Sequence, residues 1–337
     1  MSSFNTQRSV IRQIVMSPKK QATIGEVMAD ATLTYLSRAE TTGFIQKTDE
    51  MESDYDYTSK NSKSTATESR IIARSSKGEI DTRLDDFLAG YIFAFCMGTE
   101  NFTAGTDSAP NTHVFTWNDT SAPASLTNLY VVDSTGLHRK WTDLSITSIV
   151  LSGNDKGSVK VKISYIGMGG TSDTAMVSIP ALPVAQYLYG SDSIVSIGPA
   201  GTPASLSPRV ASWEATFDHQ NDVYRGCGTG IQGAFVRQGN VVTKLSLVIA
   251  LDGSTDVRDW AENHTPLEVT IAATSGAASI EIDYPYVILP NAPLSEQDKM
   301  VYYKVDLDEK SILQPVGGGE SVTVTVQNAA TAYLVSA

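Results

Sequence analysis

The sequence predicts a mainly β protein with a flanking helix, and three observations point there. The stretch Leu144 to Gly170 reads as a β-hairpin, with LSITSIVLSG and SVKVKISYIGMGG flanking the turn Asn154-Asp155-Lys156-Gly157. In its second arm Val159, Val161, Ile163 and Tyr165 alternate with Ser158, Lys160, Lys162 and Ser164, the period of two produced by one buried and one wetted sheet face. Further alternating runs follow along the chain, and the clearest helical pattern, Leu84 to Met97, stands among them.

Taken in order, Ala22 to Gly43 reads as one or two strands with Val27, Leu33 and Tyr35 facing inward. From Thr48 to Ser69 the pattern stops: TDEMESDYDYTSKNSKSTATES holds only Met51, Tyr55, Tyr57 and Ala66 as apolar residues and cannot cover a core. Such a segment is either a solvated loop or one that orders on a partner, and as a hairpin its arms would reach roughly 35 Å. Arg70 to Ala73 begins a strand, with a turn expected at Lys77-Gly78. In the helix Leu84, Phe87, Leu88, Tyr91, Ile92 and Phe95 share a face, Asp85 and Asp86 suit its first turn, and Gly98 suits its end. Short strands are expected at His113 to Trp117 and Leu129 to Val132, leading into the hairpin.

After a join at Pro180 to Pro183, strands are predicted at Ile194 to Ile197 and Arg209 to Phe217, then a polar, glycine-rich excursion from His219 to Asn240. Val241 to Leu251 is a strand, Thr255 to Asn263 a short helix, and Leu267 to Ala273 with Ala278 to Leu289 a hairpin across Ser275-Gly276. The order of elements in the first half thus returns in the second, which predicts two tandem β domains, 1–178 and 179–337; a single elaborate β-sandwich over 1–337 is the alternative. Beyond Val301 to Leu307, SVTVTVQ and TAYLVSA read as terminal strands that seek an edge, across subunits if need be.

Composition narrows the function. At 337 residues and 41% hydrophobic content the chain can bury one large core or two ordinary ones. With 25 Lys and Arg against 37 Asp and Glu, a net charge of -12 excludes tight wrapping of nucleic acid or of an anionic membrane, though not the passage of DNA. Two cysteines, Cys96 and Cys227, are too few for a disulfide framework or a thiolate metal site. The first residues lack the apolar core of a secretory signal and no stretch approaches a membrane span, so synthesis in a cytosol and no membrane partner are expected.

Catalytic patterns do not assemble. Gly228, Gly230 and Gly233 spell G-x-G-x-x-G, but a nucleotide site also needs a preceding strand and a helix whose N-terminus meets the phosphates. His113, His138, His219 and His264 stand far apart without metal-ligand spacing and are expected in loops or at the surface. Asp218, His219 and Asp222 are neighbours such as any polar loop produces, and no nucleophile-elbow glycines surround a serine. Neither an enzyme nor a cofactor is expected. Glu281 and Asp283 share one strand face opposite Ile280 and Ile282: a solvated face by default, an acidic pore wall in the sharper reading.

Several phrases, in order, resemble the major tail tube protein of long-tailed, siphovirus-like bacteriophages: QATIGEVMADATLTYLSRAE, ESRIIARSSKGEIDTRLDDFLAGYIFAFCMG, HVFTWNDTSAPASLTNLYVVDSTG with LSITSIVLSG, and WEATFDHQNDVYRGCGTG. The resemblance implies a tube-type β-sandwich or barrel-like domain with a flanking helix, made in a host bacterial cytoplasm and built into the virion tail. It implies rings that stack into a hollow tube for DNA, with the protein's own copies, a tape-measure protein and a tail-terminator protein as partners. A long loop that contacts the adjacent ring falls at Thr48 to Ser69, with Asp49, Glu50, Glu52, Asp54, Tyr55 and Tyr57 as its contact residues. Two tube domains per chain would make a pseudo-six-fold ring of three chains; one would require a hexamer. Glu214, Asp218, Glu281 and Asp283 are the candidate acidic residues facing the lumen, where they would repel phosphates. Competing readings are a carbohydrate-binding, adhesin-like sandwich using Trp117 and Trp141 as exposed platforms, and another virion structural protein.

Overall fold

The structure is a computed structural model and describes residues 12–17, 19–39, 46–55, 66–106, 109–118, 125–132, 138–173, 176, 178–181, 186–206, 209–227, 233–251, 256–290, 293–297 and 300–334. The first half of the chain forms β1 (Arg12–Met16), β2 (Tyr35–Ala39), β3 (Gln46–Tyr55), β4 (Ala66–Arg83), helix α1 (Asp86–Met97), β5 (Gly98–Thr103), β6 (Asn111–Trp117), β7 (Thr127–Val132), β8 (His138–Asn154), β9 (Lys160–Gly167) and β10 (Thr171–Ser172). The second half forms β11 (Ser193–Pro199), β12 (Ala204–Ser205), β13 (Val210–Asp218), β14 (Asp222–Tyr224), β15 (Phe235–Arg237) and β16 (Val242–Ala250). Helix α2 (Asp256–Glu262), β17 (Pro266–Ser275), β18 (Ala278–Ile288), β19 (Leu294–Gln297), β20 (Met300–Leu307) and β21 (Thr323–Asn328) complete it.

The body of the larger sheet is a run of eight antiparallel strands, β3-β4-β9-β8-β13-β16-β20-β19. The long strand β8 also pairs with β7, through which β1 and β2 join the sheet. Alternation in the sequence becomes the two faces of this sheet: Ile149, Leu151, Val161, Ile163, Ala215, Phe217, Leu245, Leu247 and Val305 are buried on one side, and polar residues occupy the other.

The eight strands divide into two groups with the same threading. Both β3-β4-β9-β8 and β13-β16-β20-β19 run first, second, fourth, third in chain order. In both, a helix follows the second strand, and the chain then gives a hairpin to the other sheet before returning: α1 then β5-β6, α2 then β17-β18. That other sheet has the order β12-β11-β17-β18-β21-β6-β5, so both sheets draw strands from both halves of the chain. Its inward residues, including Val195, Ile271, Ile282, Val324 and Phe115, meet those of the larger sheet in one core.

Helix α1 begins at Asp85, whose carboxylate accepts from Leu88 N at 2.8 Å, and ends at Gly98 in the left-handed region, φ 85°. The sequence predicts one apolar face; instead every residue from Leu88 to Met97 is buried. The helix lies between the sheets, touching β8 of one and β5, β6 and β21 of the other, so Phe93, Cys96 and Met97 are enclosed as fully as the predicted stripe. Tyr333 crosses it at Gly90, where a Cβ would collide with the ring, and accepts a hydrogen bond from Asn328 Nδ2 at 2.9 Å.

Four local expectations are corrected. Strand β4 runs straight through Lys77 and Gly78, because Gly78 pairs with Tyr165 and the ladder holds the chain extended where the dipeptide alone would turn. The segment from Ala22 to Leu33 is turns with a short 3-10 stretch at Asp30–Thr32, and Val27 is exposed while Leu33 and Tyr35 are buried. SVTVTVQ is no edge: β21 sits between β18 and β6. Of TAYLVSA, the described residues TAYL form no strand; they pack as a coil around the buried Tyr333.

Candidate assembly surfaces

The polar segment at Thr48 to Ser69 lies on the two arms of one β-hairpin. Its ladder runs from Gln46↔Lys77 to Tyr55↔Ala66, and beyond Ser76↔Gly167 strand β4 has, among the described residues, β3 as its only paired neighbour. Residues 66–75 therefore carry the hairpin past the sheet by on the order of 33 Å at about 3.3 Å per residue. Near its base Asp49 accepts from Arg74 Nε at 2.7 Å and Nη2 at 3.2 Å, tying one arm to the other. Glu50 is exposed, and Glu52, Asp54 and Tyr55 complete β3. Tyr57 lies outside the described residues.

From the same end of the sheet comes the other excursion, between β13 and β16. It folds back: Val223 and Val236 pack on Ile166 and Met168, and Arg225 Nη2 donates to Arg74 O at 3.0 Å. Tyr224 stacks on Phe235 with ring centroids 4.8 Å apart. Gly228 and Gly230 fall outside the described residues. Gly233 leads into β15, not a helix, and packs so closely on Val223 that a Cβ would collide with it. Among the described residues, no helix follows this spacing to meet a phosphate.

The register places Asp306, Ser246, Glu214, Ser152, Lys160 and Arg83 in one row across the solvent face of the eight-strand run. Asp218 belongs to a parallel row with Ser148, Ser164 and Glu79. Opposite charges meet here: Lys162 Nζ lies 2.8 Å from Glu79 and Lys304 Nζ 3.1 Å from Asp306. Glu281 and Asp283 stand on the solvent face of the other sheet, in rows of Thr and Ser such as Ser196, Thr270, Asp283 and Thr323. The strands of that sheet contain neither Lys nor Arg. Burial, and then Glu268 and Glu281 beside it, push the Asp283 carboxyl up to about 6. The four acidic candidates thus divide, two on each outer face of the sandwich.

The remaining chemical candidates are structural. His113 and His219 are buried, not at the surface as expected, because each has a polar partner inside. His113 Nδ1 lies 2.8 Å from Glu100 Oε1, and the same carboxylate accepts from Tyr333 N and Leu334 N, so the pair anchors the C-terminal segment. His219 donates from Nδ1 to Cys96 O at 2.9 Å, and burial pushes its imidazole pKa down. His264 is exposed, and the side chain of His138 lies outside the described ones. Cys96 is buried and Cys227 exposed, both as free thiols. Among the described residues no group of His, Cys, Asp and Glu is arranged to hold a metal ion, and no helix is long and apolar enough to cross a membrane. Trp117 and Trp141 are each only 5% exposed, so neither is a platform for a sugar ring.

A family model described as phage tail tube protein matches residues 12–328, nearly the whole chain. The chain belongs to the phage tail tube protein family. No curated protein matches it. Membership makes this a structural protein of the virion tail, from a family that is not one of enzymes. A tail tube protein must meet copies of itself, and the projecting hairpin and the open strands β3 and β19 are the surfaces on which it could do so.

Proposed function

We propose that this tail tube protein polymerises head to tail into rings that stack into a hollow tube, through which DNA passes to the host. The observation that carries the reading is the eight-strand run made of two like-threaded groups. Halves 1–178 and 179–337 are then tandem tube units sharing one core. Inside the chain, the last strand of the first group, β8, pairs with the first strand of the second, β13. Repeating that junction between chains pairs β19 of one copy with β3 of the next, which joins the eight-strand runs into a ring.

Dimensions favour three chains. Twenty-four strands spaced about 4.8 Å and tilted about 40° close into a barrel roughly 50 Å across between backbones, ample for a DNA duplex. Six such chains would double that width. The seven-stranded sheet must then lie outside, since facing sheets sit about 10 Å apart and placing it inside would narrow the bore to roughly 30 Å between backbones, too little for a duplex once side chains line it. Glu214 and Asp218 accordingly face the lumen, and Glu281 and Asp283 the exterior. The lumen wall is one of paired charges and hydroxyls, not a purely acidic one, and offers phosphates no continuous cationic track. Tape-measure and tail-terminator proteins are the partners this role requires.

Electron microscopy of the purified chain at high concentration tests the reading. End-on views should show hollow rings of three copies with pseudo-six-fold outline, stacking into tubes. Uniform monomers at every concentration would overturn it.

A further inference from the structure

The two like-threaded groups end their middle pair of strands in the same way. In the first, Ile80 pairs with Ile163 and Thr82 with Val161, and then Leu84 N donates to Val159 O at 2.8 Å as the chains part. In the second, Leu247 pairs with Val305 and Ile249 with Tyr303, and Leu251 N donates to Val301 O at 3.2 Å. The next strand carries the match further: Leu151 of β8 lies opposite Val161, and Leu294 of β19 opposite Tyr303. Leu84, Val159 and Leu151 thus correspond to Leu251, Val301 and Leu294, all on the side of the sheet that faces the core.

Their burial does not match. The first three are at most 1% exposed, whereas Leu251 is 41%, Val301 43% and Leu294 59% exposed. At the first site an extended segment enters between the parting chains. Val159 N donates to Leu188 O at 2.8 Å and Leu188 N donates to Leu84 O at 3.1 Å, so one residue completes both chain ends. Tyr187 bridges to Asp85 and Tyr189 to Ser158 on either side, and the Leu188 side chain is buried in the core. Among the described residues no such segment stands at Leu251 and Val301. Three apolar side chains left in water, at a site whose counterpart is sealed, mark a surface that something covers.

The filled site points to the occupant of the open one. Leu188 lies in the stretch that leads into the second strand group, so the second group seals the first, at the junction where β8 meets β13. The open site lies at the β19 edge, where the tube reading places a second copy. We infer that the slot formed by Leu251, Val301 and Leu294 receives an extended segment of the next copy in the ring, which enters between the chain ends as residues 187–189 enter the first slot. The inference rests on the tube reading and adds to each pairing of β19 with β3 an inserted segment with an apolar side chain in the place of Leu188. Because backbone hydrogen bonds and apolar burial make this contact, it holds as salt rises.

Matched substitutions at the two slots test the assignment. In the full-length chain, Leu251→Ser with Val301→Ser should leave the melting temperature of the dilute, unassembled chain unchanged, because both side chains are exposed there. The pair should weaken ring formation in analytical ultracentrifugation by about ten-fold or more. Leu84→Ser with Val159→Ser should instead lower the melting temperature, since that slot is filled within the chain. Hydrogen exchange separates insertion from a looser contact: the Val301 amide should exchange about a hundred-fold more slowly in rings than in the unassembled chain. Rings of normal yield from the Leu251 and Val301 pair, a Val301 amide no slower in rings, or one already protected in the unassembled chain by another part of it, would overturn the inference. Failure of the unaltered chain to form rings would instead overturn the tube reading on which it stands.

Discussion

The two like-threaded halves of the sheet treat the same connection in opposite ways. Between β3 and β4 the chain runs outward as a two-stranded ladder beyond the sheet, whereas between β13 and β16 it folds back and buries Val223 and Val236 against Ile166 and Met168. Composition explains the difference. The first connection has too few apolar residues to cover anything, so its backbone pairs with itself; the second has enough to cover the end of the sheet. A segment that does nothing for the fold of its own subunit is free to be selected for what it does to a neighbour.

The largest effect that would break this contrast comes from deletion. Replacing residues 48–69 by a short turn should leave a cooperatively folded chain that forms no tubes, seen by electron microscopy. Normal tubes from that variant would remove the role given to the hairpin. Replacing residues 221–238 should do the reverse, lowering the denaturant midpoint because Ile166 and Met168 lose their cover.

The two helices extend the contrast to the core. Phe95→Ala in the enclosed α1 should cost about 3–5 kcal/mol in equilibrium unfolding, while Val257→Ala in the shorter, partly exposed α2 should cost about 2 kcal/mol. Equal losses would mean that the halves bury their helices alike.

The smallest effect separates the two outer faces. Asp283 has a carboxyl pKa near 6 in the fold, above the ordinary value near 4 expected in the unfolded chain. The folded state binds the proton more tightly, so the group's cost to stability is absent well below the unfolded pKa, grows as pH rises from about 4 to about 6, and is complete above that window. Asp283→Asn should therefore raise the melting temperature at pH 7.5 and leave it unchanged at about pH 3. Glu214→Gln, on the mixed-charge face, should change the melting temperature at pH 7.5 by little.

Much of the architecture was legible in the residues because it rests on short-range physics. Alternation in SVKVKISY and in WEATFD marked strands with one buried face, Asp85 and Gly98 marked the ends of α1, and the scarcity of apolar residues in 48–69 marked a segment outside the core. Illegible were the features set by contacts distant in sequence. Nothing local says that Lys77-Gly78 stays extended, since the force that holds it is pairing with Ile166 and Tyr165. His113 and His219 look like surface residues until Glu100 and the Cys96 carbonyl are brought to them.

The same division holds for the assembly surfaces. The sequence by itself determined the acidic, core-poor hairpin, the alternating charges on Glu214, Asp218, Glu281 and Asp283, and membership of the tail tube family, since each is a property of residue order. Only the tertiary structure decided that these four acids lie on opposite faces, that Arg83 and Lys160 stand side by side, and that Trp213 is buried with a free N–H. A β-strand fixes which side a residue takes but not which strand comes next, and it is the neighbouring strand, chosen by the closure of the whole sheet, that turns separate charges into a surface.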